Sequence, residues 1–382
     1  MKNLKGRCVF AQSGGPTTVI NASIAGGLLQ ALEEESVTGV LCAHHGIKGV
    51  LDEDFFDIGK EDKEELLALK HTPASAFGSV RYKLKNPDEN DEDYRRILEV
   101  FKKYDVRYFF YNGGNDSMDT CDKISKYMQK SGYDINVIGI PKTIDNDLCG
   151  TDHCPGYGSA AKYIANSIME VNRDAVIYGS PLVIVVEIMG RNAGWLAAAS
   201  KLAEVGGYGA DLIYLPELPF SYEKFKSDVK KVTDRKKICV VAVSEGIRFE
   251  SGKYVGDDGS MTDAFGHSQL GGVCGVLKAK VKELGLKCKA IELNILQRCA
   301  AHCASETDVE ESFAAGRTAV KAAVGGETDK MISFKRKDGS VYEIEYVATP
   351  LSAAANAEKT IPLGWITDDG TNLSDEFVNY AL

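Results

Sequence analysis

The chain of 382 residues has no apolar run approaching the ~20 residues that a membrane-spanning helix requires. Its opening stretch, MKNLKGRCVFAQSGG, shows neither the apolar segment nor the small-residue cleavage site of a secretory signal. A cytoplasmic protein without membrane contact is therefore expected. Positive charge is not in excess either. Fifty-five acidic residues against 45 basic ones leave a formal charge of −10, which argues against a broad nucleic-acid or anionic-lipid surface. A small anion held by a local cluster of Arg and Lys remains compatible with that balance. The ten cysteines include no C-x2-C pair. Cys149 with Cys154, and Cys299 with Cys303, lie beside His153 and His302 but lack the spacing of a structural zinc knuckle. In a long chain with no export signal, these cysteines read as reduced thiols, most of them small core residues. Walker A and G-x-G-x-x-G patterns are absent, as are internal repeats and low-complexity segments.

What is present is a balanced globular composition, 44% hydrophobic and 26% charged, over a length that suits two domains. Short apolar runs (RCVFAQ, VRYFFYNGG, INVIGIP, PLVIVVEIMG, KICVVAVSEG) alternate with segments of helical period. This is the rhythm of parallel β/α units, whose strands are buried on both faces and read as continuous apolar stretches. Helices are expected from about Thr18, from Ser117 and from Asn192. The acidic stretch KLKNPDENDEDYRR reads as a solvated loop leading into a helix. MISFKRKDGSVYEIEYV alternates about Asp338-Gly339, which predicts a β-hairpin.

In parallel α/β sheets ligands bind at the carboxyl ends of strands, so the polar tails of these runs are the places to look for chemistry. AQSGGPTTVINA offers Gly14-Gly15 between a strand and a helix, a junction whose backbone amides can face an anion at the positive end of the helix dipole. Two glycines also make an ordinary tight turn. YNGGNDSMDT repeats the pattern, with Ser117 expected to cap the next helix. PKTIDND follows a third strand and sets Lys142 before Thr143, Asp145 and Asp147. A carboxylate against a hydroxyl is a general base, and a neighbouring one can organise a magnesium ion. An Asx-rich turn is the plain alternative for Asp-Asn-Asp in isolation.

Taken together, SGGPTTVINA, FGSVR, GGNDS, PKTIDND, GYGSAAKYIA, MGRNAGW, VSEG and LQR resemble the phosphofructokinase family in order and spacing over about residues 7–325. The resemblance implies two Rossmann-like three-layer αβα domains with mostly parallel sheets. The larger, residues 1–158 plus about 297–356, would take the phosphoryl donor. The smaller, 159–296 plus about 357–382, would take fructose 6-phosphate. By the same resemblance Asp145 is the base for the sugar 1-hydroxyl, with Thr143 against that hydroxyl and Asp147 in support. Gly15 and Ser117 belong to the donor loops, and Arg81 reaches the transferring phosphoryl. Met189, Gly190 and Arg191 touch sugar and transition state, Glu245 accepts sugar hydroxyls, and Arg298 grips the 6-phosphate. Mg2+ would be the cofactor, near Asn115 and Asp147, and the assembly a homodimer or homotetramer.

ATP-using members of the family carry glycine at the positions of Asp116 and Lys142. Here both side chains are charged. Like charges ~4 Å apart repel by ~4 kcal/mol at an effective dielectric of 20, so Asp116 would exclude the α-phosphate of a nucleotide, while Lys142 would attract bare pyrophosphate. The pair resembles the pyrophosphate-dependent branch, for which transfer runs in both directions. An ATP-dependent enzyme is disfavoured by these two residues. A noncatalytic regulatory subunit is disfavoured by Asp145, Arg81 and Arg191, and a lipid or NAD kinase by PKTIDND together with MGR. The chain departs from the family at Asn115, where many members have an aspartate. Leu182 and Lys289 stand where ATP-dependent bacterial members place arginines, and Ile295 replaces a histidine or tyrosine. The acceptor pocket is thus the most altered part, and sedoheptulose 7-phosphate is a second candidate acceptor.

Overall fold

The structure is a computed structural model that describes residues 4–177, 179–257, 272–354 and 357–382. The chain forms two compact units. The first comprises Met1–Ile144, Leu148–Tyr157 and Ala304–Glu358, and the second Asp145–Asp147, Gly158–Cys303 and Lys359–Leu382.

In the first unit the predicted apolar runs become strands β1 (Gly6–Gln12), β2 (Val37–Ala43), β3 (Phe55–Asp57), β4 (Val106–Gly113) and β5 (Asn136–Pro141). In the second they become β6 (Leu182–Ile188), β7 (Leu212–Tyr214), β8 (Ile238–Ser244) and β9 (Lys287–Glu292). The chain returns to the first unit with β10 (Lys330–Arg336) and β11 (Ile344–Pro350). The seven-stranded sheet of the first unit runs β11-β10-β5-β4-β1-β2-β3, with β1, β2, β4, β5 and β10 mutually parallel where they pair. The second unit has a four-stranded, all-parallel sheet, β7-β8-β6-β9.

The continuous apolar runs follow from helices on both faces of each sheet. Side chains alternate across a strand, so Val9, Ala11, Phe109 and Tyr111 enter one core layer while Cys8, Phe10, Tyr108 and Phe110 enter the other. Phe10 and Phe110, paired in register, stack with ring centroids 4.5 Å apart. The second unit packs Val183, Val185, Val241, Val243, Phe225 and Leu277 in its own core. Seven of the ten cysteines are buried. No helix among the described residues is long and apolar enough to cross a membrane.

Helix starts differ from the expected positions for local reasons. The first helix is Ile20–Glu33 rather than from Thr18, because Thr17 Oγ1 accepts the Val19 N–H at 3.3 Å and holds a bend ahead of it. The expected helix from Asn192 begins at Trp195, since Asn192 Oδ1 accepts from Tyr254 Oη at 3.0 Å and keeps that residue in the loop. The hairpin forms as antiparallel β10 and β11, from Lys330↔Pro350 to Arg336↔Ile344. Its connection spans 337–343, closed by the Lys337 N–H on the Glu343 carbonyl at 2.9 Å.

Candidate active site

The first unit collects three strand ends in the order β5, β4, β1. After β1, Gly14 takes a left-handed φ of 78°, a conformation that disfavours any other residue. A Cβ there would also sit 3.2 Å from Lys142 Nζ. The FGSVR segment runs along this turn. Gly14 N–H and Ser13 Oγ donate to the Val80 carbonyl at 3.4 and 3.3 Å, and Ser79 Oγ donates to the Gly14 carbonyl at 2.6 Å. Arg81 thereby leaves the backbone next to the glycine turn and is exposed. Because the helix begins only at Ile20, its positive end does not reach Gly15 as the sequence suggests: the dipole effect falls off within the first turn.

The helix terminus is instead at the second loop. Helix Asn115–Lys130 starts directly after Gly113-Gly114, with Gly114 as its N-cap. Ser117 is therefore not the cap expected from sequence. Its N–H already bonds the Gly114 carbonyl at 3.0 Å, and its buried hydroxyl fills the space at Gly113, where a Cβ would come within 2.0 Å of it. Asn115 and Asp116 occupy the first turn, with Asp116 exposed at the positive end of the helix.

Lys142, only 5% exposed, ties the two loops together. Its N–H donates to the Gly113 carbonyl at 2.9 Å and its Nζ to the Gly15 carbonyl at 2.7 Å. Thr143, next in the chain, is buried and donates its N–H to the Pro155 carbonyl at 3.2 Å. Gly156, in turn, donates to Asp308 Oδ1 at 2.9 Å. A buried ammonium at the meeting of two glycine loops suits an oligophosphate, since low dielectric strengthens its field.

The second unit assembles a different set. Asp145, Asn146 and Asp147 belong to it. Met189-Gly190-Arg191 follow β6, and Gly190 has a φ of 125°. The turn after β8 is zipped onto them: Glu245 N–H donates to the Ile188 carbonyl at 2.8 Å, Gly190 N–H to Glu245 Oε1 at 3.3 Å, and Ser244 Oγ to the Gly190 carbonyl at 2.5 Å. Gly246 is required for this closeness, because a Cβ would lie 1.8 Å from the Arg191 carbonyl oxygen. Fully buried Gln297 accepts the Met189 N–H at 3.4 Å and donates to the Asn294 carbonyl at 2.9 Å, which fixes the turn that carries Arg298. The Glu245 carboxyl is pushed up to about 7, first by burial, then by the Asp145 charge, with Glu187 adding and the Gly190 N–H and Arg191 opposing.

Sequence reasoning missed the polar side chains that hold these loops. Gln297 is one. Glu217 is another, with Oε1 accepting from Gly194 N–H at 2.8 Å and Ile361 N–H at 3.0 Å. Gln12 and Asn21 form a buried amide pair at 3.0 Å that also receives Phe77 and Ala76 N–H. A polar residue within an apolar run, such as Gln12 at the end of VFAQ, was the available signal. Of the departures in the acceptor region, Leu182 is buried at the start of β6, Lys289 pairs with Asp174 at 3.4 Å, and Ile295 is 65% exposed.

Two units, each built on a mostly parallel sheet with glycine-bearing loops at its strand ends, make an α/β protein of the phosphofructokinase fold. Residues 7–323 match the phosphofructokinase family model, and the chain belongs to that family. A relative from Halomonas elongata, named pyrophosphate–fructose 6-phosphate 1-phosphotransferase, is 45% identical over 377 residues, covering 97% of this chain and 90% of its own. A sulfofructose kinase from Alkalicoccus urumqiensis is 32% identical, covering 95% of this chain and 92% of its own. The crystal structure of a pyrophosphate-dependent phosphofructokinase from Nitrosospira multiformis superposes with a TM-score of 0.90 at 41% identity, covering 98% of this chain and 91% of that one.

Proposed function

We propose that the chain transfers a phosphoryl group reversibly between pyrophosphate and the 1-hydroxyl of fructose 6-phosphate, giving fructose 1,6-bisphosphate and phosphate. The observation that carries the choice of donor is Lys142, whose buried Nζ bonds the Gly15 carbonyl where the ATP-using pattern has only glycine. Asp116 adds a second charge at the start of helix Asn115–Lys130. The relatives named for pyrophosphate support the same donor.

In this reading the first unit binds the donor through Gly15, the Asn115–Ser117 turn, Arg81 and Lys142, and the second binds the sugar phosphate through Met189, Gly190, Arg191, Glu245 and Arg298. Asp145 takes the proton of the 1-hydroxyl as its oxygen bonds to the distal phosphorus. The bridging P–O bond breaks and phosphate leaves; Lys142 offsets the charge growing on it, while Arg81 and Arg191 face the equatorial oxygens of the phosphoryl group in transfer. Thr143 orients the hydroxyl. The donor set for a cation is thin, one carboxylate from Asp147 and one amide from Asn115, which suits Mg2+ that keeps water and substrate phosphate as most of its ligands. When bound, Mg2+ neutralises the pyrophosphate oxygens. The protein acts in the cytoplasm as a homodimer or homotetramer.

Incubating the purified chain with Mg2+, fructose 6-phosphate and either pyrophosphate or ATP tests the donor, and product with ATP alone would reject it. Sedoheptulose 7-phosphate and 6-sulfofructose in the same assay test the acceptor.

A further inference from the structure

The segment after the family-matched region, residues 359–382, is bonded to the loop that carries the proposed base. Lys359 donates its N–H to the Asp147 carbonyl at 2.7 Å and its Nζ to Asn146 Oδ1 at 3.5 Å. Asn146 Nδ2 donates to Tyr380 Oη at 2.8 Å. Thus both Asn146 and Asp147, the two residues that follow Asp145, are held by the tail, and all belong to the same unit. Asn146 is fully buried and left-handed at φ 55°, a conformation that persists in a non-glycine residue when its surroundings over-determine it.

The tail is itself firmly seated. Phe377, in helix Asp375–Ala381, is fully buried, and the Thr371 carbonyl accepts the Ile213 N–H at 2.7 Å, extending the edge at β7. Tyr380 lies against Trp195 and Trp365 with ring centroids 5.2 and 5.5 Å away, and Trp195 Nε1 donates to the Lys359 carbonyl at 2.8 Å. These are the only two tryptophans in the chain. Tyr380 thus has its ring set by packing and its hydroxyl directed at Asn146.

We infer that Tyr380 and Lys359 are positioning residues for Asp145: the C-terminal segment sets the backbone of the loop 145–147 and with it the direction of the base. The inference rests on Asp145 being that base. Tyr380→Phe keeps the ring packing and removes the acceptor, while Asn146→Gly keeps the left-handed backbone accessible and removes the donor. For the full-length chain, kcat, KM for each substrate and melting temperature are measured for Y380F, N146G, their combination and D145N.

Loss of one buried hydrogen bond to this loop is expected to lower kcat roughly fivefold to tenfold in Y380F, with KM for pyrophosphate unchanged. The combination should lose no more than N146G alone, because N146G already removes the Tyr380 bond along with the Lys359 Nζ bond, and Y380F removes only the first. Tryptophan emission of Y380F should match wild type, showing the tail still seated. The inference is overturned if Y380F keeps wild-type kcat, if the two losses multiply, or if the sole effect is a lower melting temperature. Those results leave the base untouched provided D145N loses orders of magnitude in kcat. Retained turnover in D145N instead removes the base assignment itself.

Discussion

In the proposed reaction Lys142 supplies a charge to the donor, and in the structure it holds the Gly15 carbonyl, so Lys142→Gly removes both at once. Its kcat with pyrophosphate should fall by at least ~10²-fold, the usual cost of losing one preorganised donor at developing charge, as measured by steady-state kinetics in both directions. Glu245 has a carboxyl whose ionisation is moved into the physiological range. Burial and the Asp145 charge hold its carboxyl up to about 7, so the folded protein favours the neutral form. The stabilisation this gives is complete below the ordinary carboxylate value near 4.5 and is lost as pH rises through about 7. A neutral carboxyl is a poorer acceptor for sugar hydroxyls. KM for fructose 6-phosphate should therefore rise as pH falls through 7, and Glu245→Gln should flatten that dependence. Asp145→Asn, by removing a repelling charge, should move the inflection to lower pH, which sugar binding followed by calorimetry would detect.

Among elements, the strand-end loops work because each is fastened to its neighbour. The turn after β6 is bonded to the turn after β8 through Gly190 and Glu245, and to the Asn294–Arg298 turn through Gln297. Gln297→Leu takes away the side-chain partner of the Met189 N–H and of the Asn294 carbonyl, both in part-buried bonds. We expect a loss of about 1–3 kcal/mol in denaturant unfolding and a higher KM for the sugar phosphate with KM for pyrophosphate unchanged. Elements of this kind were partly legible. The β/α rhythm could be read from RCVFAQ or PLVIVVEIMG because strands covered on both faces need no polar residue until they end. Helix starts were less legible, since Ser117 looks like a cap in sequence but the helix already begins at Asn115, after the extended Gly114. Only the backbone path reveals which residue comes first.

For the molecule as a whole, each unit has a core of its own, and the first rests on the aromatic residues of β1 and β4. Phe110→Ala, removing the partner that stacks on Phe10, should cost ~3–5 kcal/mol and shift thermal unfolding downward without altering which donor is used. The motif set from Gly15 to Arg298 is recognisable as a family resemblance because its residues are drawn from short contiguous loops, and the roles given to them come from that resemblance.

The alternation of strands and helices, the glycine loops and the charged pair Asp116 and Lys142 can be read along the chain, since each depends on residues a few positions apart. That Tyr380 meets Asn146 across 234 positions and Gln297 meets Met189 across 108 emerges only from folding. The reason is physical: a hydrogen bond between distant segments leaves no periodicity or spacing in either one, and it exists only once the packing of each unit has brought them within 3.5 Å.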